Sequence, residues 1–323
     1  MRAPCHGSAA APGGPCPDQI FEVNVIGLPS MTLAEYAAYE RDMGARVAES
    51  GGVFWRRVRP LFYRPLFLLE PLDAGGVTPP AEARWGGWQF VVGDAARANG
   101  SIDVLLFRNA SAYSLDRLEK KRRWEVRTAQ RHFTVRRIES PRELTEAHPA
   151  YVDFQRRTRY GYRSDRVDAR RFAEWAQAVF RHPKVRVLGA WEGGTLRAVS
   201  VLQRVGTTLL YSTFFASSGA LHRHVASLML HEVRRLAAES GCVDQVFAGL
   251  RKAGREASVD EFYLQRGCEI VRLPACLRVH PLTGWCLRMI RPGLWRRLSG
   301  ERVGVAESAK AGRASSCLSA GSR

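Results

Sequence analysis

From residue 133 onward, the order of strand-like and helix-like segments constrains the fold of this chain more than any other feature. Runs rich in β-branched and aromatic residues alternate with longer segments of helical periodicity. The predicted strands cover residues 133–138, 185–190, 196–203, 207–215, 243–247 and 269–273. The predicted helices cover residues 142–157, 169–180, 221–239 and 258–265. Helices interleaved with strands in this way predict an α/β protein with a mixed sheet.

The first part of the chain repeats this order in a shortened form. Its predicted strands cover residues 21–28, 53–58, 62–69, 89–92 and 102–107. A helix is predicted at 32–48, and a strongly basic helix at 115–131 joins this part to the rest. Residues 1–17 and 301–323 are low in complexity, which predicts disordered tails. We therefore expect two modules, the N-terminal one shortened, between two tails.

The last predicted helix ends in Phe262-Tyr263-Leu264-Gln265-Arg266-Gly267, where Gly267 stops the helix and a strand follows at once. This motif and the order of elements around it resemble the GNAT family of acyl-CoA-dependent N-acyltransferases, over about residues 132–280. Two such modules joined by a helix as basic as 118–127 resemble the FemAB-like branch, in which two GNAT-like domains are fused. That branch includes aminoacyl-tRNA-dependent ligases that extend peptidoglycan peptides.

The resemblance implies a division of the chain into modules. We expect a degenerate GNAT-like module at 18–131, which ends in the basic helix, and a GNAT-like acyltransferase module at 132–280. A basic amphipathic segment at 281–300 follows. Its mixture of Trp, aliphatic residues and Arg is typical of a helix lying on anionic lipid. Packing of that segment back on the domain is the alternative.

Charge and cysteine content limit the partners and the compartment. The formal net charge is +18, nearly all of it from an excess of Arg. Such a balance attracts phosphates, nucleic acid or anionic lipid, or it reflects a genome biased toward Arg codons. The seven Cys show no CxxC pair, so we expect reduced thiols in a cytoplasmic protein, without a zinc site. The first twenty residues lack the apolar run of a secretory signal.

The turn after the strand 207–215 is the predicted donor site. A helix N-terminus presents unpaired N–H groups and a partial positive charge, so it binds phosphate. The resemblance places the pyrophosphate of coenzyme A here, although the family's loop has several glycines and this loop has Gly219 alone. The predicted cofactor-binding residues are Phe214, Phe215, Ser217, Ser218, Gly219, Ala220 and Leu221. An ordinary capped turn is the alternative.

Tyr263 is the predicted catalytic residue. The resemblance implies that this Tyr protonates the departing thiolate, whose parent thiol has a pKa near about 8.5. The FemAB-like branch tends to have Lys at this position and Asp on the preceding strand, where this chain has Val246-Phe247-Ala248-Gly249. A core aromatic is the alternative role. We assign no general base; the candidates are Asp153, Asp165, Glu192, Glu232, Asp244 and Asp260.

The basic helix contributes two further candidates. Arg122 lies in the middle of an apolar stripe, where a guanidinium must either be paired or face an anion. Glu125 is one partner for a structural salt bridge. Trp124 lies on the opposite face among cations, a pattern that suits stacking on RNA bases or contact with an anionic membrane. A solvated charged helix is the alternative.

These patterns predict an N-acyltransferase that moves an acyl group from acyl-CoA or an acyl carrier to an amine. The mechanism is direct attack in a ternary complex, with acyl-CoA as co-substrate and no metal. An aminoacyl-tRNA-dependent peptide-bond-forming transferase is the alternative enzyme. A non-catalytic double module that binds nucleic acid or an anionic membrane is the alternative of another class. In that case the protein is peripheral at the inner face of the membrane.

Overall fold

The computed structural model of the protein describes residues 27–159, 161, 163–251 and 257–299. The elements of its first half are β1 (Ser30–Met31), α1 (Leu33–Asp42), β2 (Val47–Ser50), β3 (Val53–Arg59), β4 (Phe62–Pro65), β5 (Gly87–Val91), β6 (Gly100–Phe107) and α2 (Lys120–Gln130). The predicted tails 1–17 and 301–323 lie outside the described residues, as does nearly all of the predicted strand 21–28.

The second half alternates in the predicted order. Its elements are β7 (Thr134–Arg137), α3 (Pro141–Thr145), α4 (His148–Thr158), α5 (Ala169–Phe180), β8 (Arg186–Glu192), β9 (Thr195–Val205), β10 (Thr208–Ala216), α6 (Ser218–His222), α7 (Val225–Glu239), β11 (Gln245–Leu250), α8 (Ala257–Leu264), β12 (Glu269–Val279), α9 (Pro281–Ile290) and α10 (Pro292–Ser299).

The described strands form one mixed sheet of twelve strands. Its order is β2-β3-β4-β5-β12-β6-β11-β10-β9-β8-β7, and β1 pairs with β9 outside this path. Most neighbours are antiparallel, but β4 with β5 and β10 with β11 are parallel. The last strand, β12, lies between β5 and β6, so that strands of both halves alternate in the middle of the sheet. The predicted α/β class with a mixed sheet is confirmed.

Helices cover both faces of the sheet at β7 to β11. Alternate residues of the strands point to opposite faces. On one face Val199, Val201 and Leu210 pack against α1, α3, α4 and α5, in a core that includes Phe172 and Trp175. On the other face Leu202 and Leu209 pack against α7 and α8. The helix α2 lies on this second face, beside α7.

The prediction of a helix at 32–48 was wrong for its second half. The helix α1 begins with a capping box between Thr32 and Glu35 and ends at Asp42. Gly44 has a φ of 79°, a left-handed conformation that ends a helix and favours glycine. The chain then enters β2, which pairs with β3.

Two other predicted helices are each broken in two. The segment 142–157 divides into α3 and α4, because Pro149 at the start of α4 lacks the N–H that a continuous helix requires. The segment 221–239 begins earlier, as α6, and breaks at Arg223 and His224 before α7 begins. His224 has a φ of 63°, a left-handed conformation that interrupts the helix between α6 and α7.

Three element boundaries also differ from the prediction. The strand β4 ends at Pro65, whereas 62–69 was predicted. The strand β12 continues to Val279 because its second part pairs with β5. The regular part of the basic helix starts at Lys120, since residues 115–117 form a separate 3-10 turn capped by Ser114.

Candidate functional site

The strands β10 and β11 separate after a short paired stretch. They pair in parallel at only three positions, the last of which joins Leu210 to Phe247. Beyond it, β10 continues to Ala216 and pairs only with β9, while β11 pairs with β6 on its other side. A bulge in β10 between Tyr211 and Thr213 accompanies the separation. The end of β10 therefore leaves backbone groups on the side of β11 free of a strand partner.

The turn that follows β10 is capped at the place predicted to bind phosphate. Ser217 is the N-cap of α6, and its hydroxyl accepts a hydrogen bond from the N–H of Ala220. A carboxylate from α4, Asp153, accepts hydrogen bonds from the backbone N–H and the hydroxyl of Ser218. Arg157 donates to the same hydroxyl at 2.9 Å. The N-terminus of α6 thus already holds an anion, which belongs to the protein itself.

Asp153 stays ionised in this position. The hydrogen bond from the backbone N–H of Ser218 lowers the pKa of the Asp153 carboxyl and outweighs the opposing effect of burial; the Ser218 hydroxyl and Arg157 lower this pKa by smaller amounts. A carboxylate that accepts backbone N–H groups is stabilised in its charged form. A second anion at this turn would face a fixed negative charge.

The two aromatic residues predicted at the donor site have different surroundings. Phe215 is fully buried in the core on the α5 side, packed edge-to-face against Tyr151. Phe214 is half-buried on the other face, with its ring 6.2 Å from that of Tyr211. Among the other predicted residues, Ala220 is buried, and Leu221 packs beside α2 and α7.

Tyr263 lies in α8 on the same face of the sheet as Tyr211. Its ring packs edge-to-face against Phe107 at 6.1 Å and against Tyr211 at 6.2 Å. Within the described part of the chain its hydroxyl makes no hydrogen bond. Burial raises the pKa of Tyr263, and the nearby Cys268 and Asp260 raise it further. The phenol is therefore neutral throughout the physiological range.

Cys268, the neighbour of Tyr263, is an unreactive thiol. It is buried, and burial raises its pKa to about 12. The thiolate is the reactive form of cysteine, so a thiol with this pKa is a poor nucleophile at neutral pH.

Arg122 is paired, which is one of the two alternatives that the sequence predicts for a guanidinium in an apolar stripe. It forms an ion pair with Glu125 and donates to the side-chain carbonyl of Gln265 at 2.7 Å. Glu125 also accepts hydrogen bonds from Ser227 and from Arg266, which directly precedes Gly267. This buried network joins α2 to α7 and to the end of α8. Sequence reasoning identified Glu125 as a partner from its spacing, but not Ser227 or Arg266.

A small cavity adjoins this network. Its volume is about 10 Å³, and its lining includes Arg122, Arg234, Arg266, Tyr113 and His231. His231 and Tyr113 are joined by a hydrogen bond of 2.8 Å, and burial lowers the pKa of His231. Burial raises the pKa of Tyr113 to about 12. Both side chains are therefore neutral at physiological pH, while the guanidinium groups keep the lining positively charged.

Trp124 lies on the outside of α2. It is 56% exposed, and its ring meets that of His224 edge-to-face at 5.2 Å. The predicted cations around it, Arg117, Lys120, Arg127 and Arg131, are all exposed. Because His224 marks the junction of α6 and α7, the exposed face of α2 reaches that junction. We call this surface, from Lys120 to Arg131 and on to His224, the basic face.

The candidate bases are distributed over several sites. Glu192 pairs with Arg197 and Arg223, and Glu232 pairs with Arg235. Asp260 is buried one turn before Tyr263. In the described residues no three or more His, Cys, Asp or Glu side chains gather as metal ligands would. The helices of the described segments are all too short or too polar to cross a bilayer.

The fold is similar to that of three solved structures. One is the C-terminal domain (DUF2156) of a protein assigned as a lysylphosphatidylglycerol synthetase from Agrobacterium fabrum, with a TM-score of 0.53 and 13% identity over 86% of this chain and 96% of that chain. FemX matches with a TM-score of 0.52 and 9% identity over 82% of this chain and 95% of that chain.

A third match is L-PGS from Bacillus licheniformis, with a TM-score of 0.50 and 12% identity over 86% of this chain and 99% of that chain. At these identities the likeness is one of fold. Comparison with protein-family models and with curated proteins finds no match.

Proposed function

We propose that the protein transfers an aminoacyl group from the ribose ester of an aminoacyl-tRNA to an amine, at the opening between β10 and β11. The GNAT-like fold is that of acyl-transferring enzymes, and its FemAB-like form resembles aminoacyl-tRNA-dependent ligases. The backbone groups of β10 that lack a strand partner would hold the aminoacyl group, as in the addition of a strand to a sheet edge.

The observation that carries this choice of donor is the carboxylate at the start of α6. Coenzyme A would bring a pyrophosphate to the helix N-terminus at which Asp153 already accepts from the N–H of Ser218. Two like charges at one helix N-terminus repel each other strongly in a partly buried setting. A donor whose phosphates bind elsewhere avoids this conflict.

The basic face offers that other place. Its exposed cations would contact the phosphates of the tRNA acceptor end, and Trp124 would stack on an unpaired base. It adjoins the end of β10, because α2 packs in one cluster with Ala216, the last residue of β10. A strand of RNA that crosses this face could therefore deliver its terminal ester to the opening between the strands.

The proton balance of the reaction suits Tyr263. The amine nitrogen attacks the ester carbonyl, a C–N bond forms, the bond to the ribose oxygen breaks, and the amine loses one proton. The departing ribose oxygen gains one, and Tyr263 would donate it. Because burial raises the pKa of Tyr263, its phenol is protonated and able to donate at neutral pH.

Acyl-CoA remains the second candidate donor, because Tyr stands at position 263 where the FemAB-like branch tends to have Lys. Protonation of a thiolate by this Tyr is the mechanism that the GNAT resemblance implies. The acceptor would again be an amine.

The donor is tested by direct comparison under one set of conditions. The protein is titrated with aminoacyl-tRNA, with uncharged tRNA and with coenzyme A at low salt, and transfer of a radiolabelled aminoacyl group to a panel of amines is followed. We expect binding of both tRNAs, and transfer only from the charged form. Tight binding of coenzyme A, with transfer from acyl-CoA and none from tRNA, would establish the second candidate. Binding of tRNA without transfer from either donor would indicate a non-catalytic binding module.

A further inference from the structure

The helix α9 carries its apolar face outward. Leu282, Trp285, Cys286, Met289 and Ile290 lie on one arc of the helix, and no charged residue interrupts it. The large ones are exposed: Leu282 by 64%, Trp285 by 62%, Met289 by 67% and Ile290 by 74%. A surface helix of a globular protein normally turns its apolar stripe toward the core. No other described part of the chain covers this apolar arc.

The orientation of α9 is fixed by its inner face. Leu287 of α9 and Trp295 of α10 pack against a small core of Phe62, Leu277 and Leu298. The side chain of Gln89, which is fully buried, donates to the backbone carbonyl of Leu298 at 2.8 Å. The pair α9 and α10 is thus docked on β4, β5 and β12. With the inner face of α9 buried in this way, its apolar arc points to solvent.

The exposed arc continues onto the neighbouring loop. Trp85 is 70% exposed, its carbonyl accepts a hydrogen bond from the hydroxyl of Thr283, and its ring lies 6.0 Å from that of His280. The exposed Leu61 is next to it, since its carbonyl accepts a hydrogen bond from the N–H of Gly87. We call this surface, formed by Leu61, Trp85 and the outer arc of α9, the apolar plateau.

Cations predominate around the apolar plateau, although the exposed Glu82 lies three residues before Trp85. Residues 270–300 contain no Asp or Glu. The exposed cations around the plateau are Arg59, Arg84, Arg278, Arg288 and Arg291, and among the described residues none of them forms an ion pair. Arg288 instead stacks over Trp295 at 4.3 Å.

We propose that the apolar plateau docks on the surface of an anionic lipid bilayer. Trp and long aliphatic side chains would enter the boundary between headgroups and acyl chains, and the Arg rim would meet the lipid phosphates. A helix of ten residues is about 15 Å long, which suits a position in the plane of the interface.

The charge pattern distinguishes the bilayer from a second copy of this chain. A two-fold dimer brings the same patch of both subunits together, so each Arg rim would face its own copy. With no acidic residue in 270–300 to offset it, that arrangement is repulsive. Anionic headgroups provide the opposite charge. Exposed Trp and Arg are also the residues enriched where proteins meet membrane interfaces.

Vesicle sedimentation of the full chain tests the proposal. The probes are vesicles of phosphatidylcholine alone and of phosphatidylcholine with phosphatidylglycerol. The variant carries Leu282→Ser, Trp285→Ser and Met289→Ser, all at exposed positions, so that the fold is retained. Removal of three inserting side chains should weaken partitioning into the anionic vesicles by about tenfold or more. Wild-type protein should bind the neutral vesicles far less.

Trp124→Ser is the matched control, because Trp124 is comparably exposed but lies on α2. We expect it to sediment with anionic vesicles like the wild type. Loss of vesicle binding in the Trp124 variant and not in the α9 variant would overturn the proposal in favour of the basic face. A wild-type dimer by light scattering that the α9 variant converts to a monomer, with neither protein binding vesicles, would overturn it in favour of self-association. Equal binding of all variants would also overturn it.

Discussion

At the scale of single residues, Tyr263 combines a packed ring with a hydroxyl that makes no hydrogen bond within the described chain. Tyr263→Phe keeps the ring against Phe107 and Tyr211 and removes only the hydroxyl. If the hydroxyl is the general acid, kcat should fall on the order of 10²-fold with little change in donor affinity. Single-turnover transfer and equilibrium binding measure the two quantities separately.

Tyr211→Phe is the matched control, since it removes a buried hydroxyl from the same aromatic cluster, and its kcat should stay near that of the wild type. The pH dependence gives a second readout. Because the pKa of Tyr263 is raised, loss of the acid form should appear only above the ordinary tyrosine value of about 10. An unchanged kcat in Tyr263→Phe would make this Tyr a packing residue.

Asp153 is the residue whose charge favours aminoacyl-tRNA over coenzyme A in our proposal. Its effect on stability is testable by itself. Asp153→Asn should destabilise the fold by about 0.5 kcal/mol at pH 7, because it removes a negative charge from the N-terminus of a helix. Its pKa is lowered in the folded state, so its stabilisation is present above the unfolded pKa of about 3.9 and is lost as pH falls through the lower folded value.

Urea unfolding at several pH values measures this difference between wild type and variant. The difference should be constant from pH 7 to about 5 and should shrink below about pH 4. Asp165→Asn, at an exposed carboxylate, is the control and should leave stability nearly unchanged. A difference that grows on acidification would mean that Asp153 stabilises the turn in another way.

At the scale of elements, α2 is joined to α7 and α8 by a buried network with a single carboxylate. Glu125 is buried and accepts from Arg122, Arg266 and Ser227. Glu125→Leu should cost about 3–5 kcal/mol, because it leaves two guanidinium groups without their anion. Combining it with Arg266→Leu should recover part of that loss, since the stranded charge is removed as well.

A double-mutant cycle by urea unfolding gives the interaction free energy. Asp73→Asn, which breaks an exposed pair with Arg97, is the control and should cost less than about 1 kcal/mol. Additive effects of the two Leu substitutions would show that Glu125 and Arg266 do not depend on each other.

Element order could be predicted from the sequence because periodicity survives over whole segments. The break between α6 and α7 could not, since it depends on one His in a left-handed conformation within a continuous apolar pattern. The end of α1 depends in the same way on Gly44, although a Gly after a periodic run is a signal that a closer reading can use. Asp153 was considered only as a base, because its contact with Ser218 spans 65 residues and no local pattern encodes it.

At the scale of the whole molecule, two of the positively charged surfaces differ in their chemistry. The basic face on α2 has cations around a single exposed Trp. The apolar plateau has cations around a broad apolar arc on α9. Two separate surfaces would let the protein hold an RNA donor and a membrane at the same time. The sequence predicted the basic helix and the basic amphipathic segment 281–300 from their composition. That Leu61 and Trp85 join α9 in one surface follows only from the fold, in which β12 lies between β5 and β6.

The separation of the two surfaces predicts that RNA binding and lipid binding can each be weakened without the other. Replacing Lys120, Arg127 and Arg131 with Gln should weaken RNA binding and lower the slope of log affinity against log salt by about 2, since about 0.7 is lost per contact to a single strand. Lipid binding should persist.

Replacing Arg84, Arg278 and Arg291 with Gln should do the reverse, with weaker binding to phosphatidylglycerol vesicles and an unchanged RNA salt slope. All six side chains are exposed, so both variants should fold like the wild type. Filter binding and vesicle sedimentation at two salt concentrations provide the measurements. If either triple variant weakens RNA binding and vesicle binding equally, the positive charge acts as one diffuse field, and neither surface has a partner of its own.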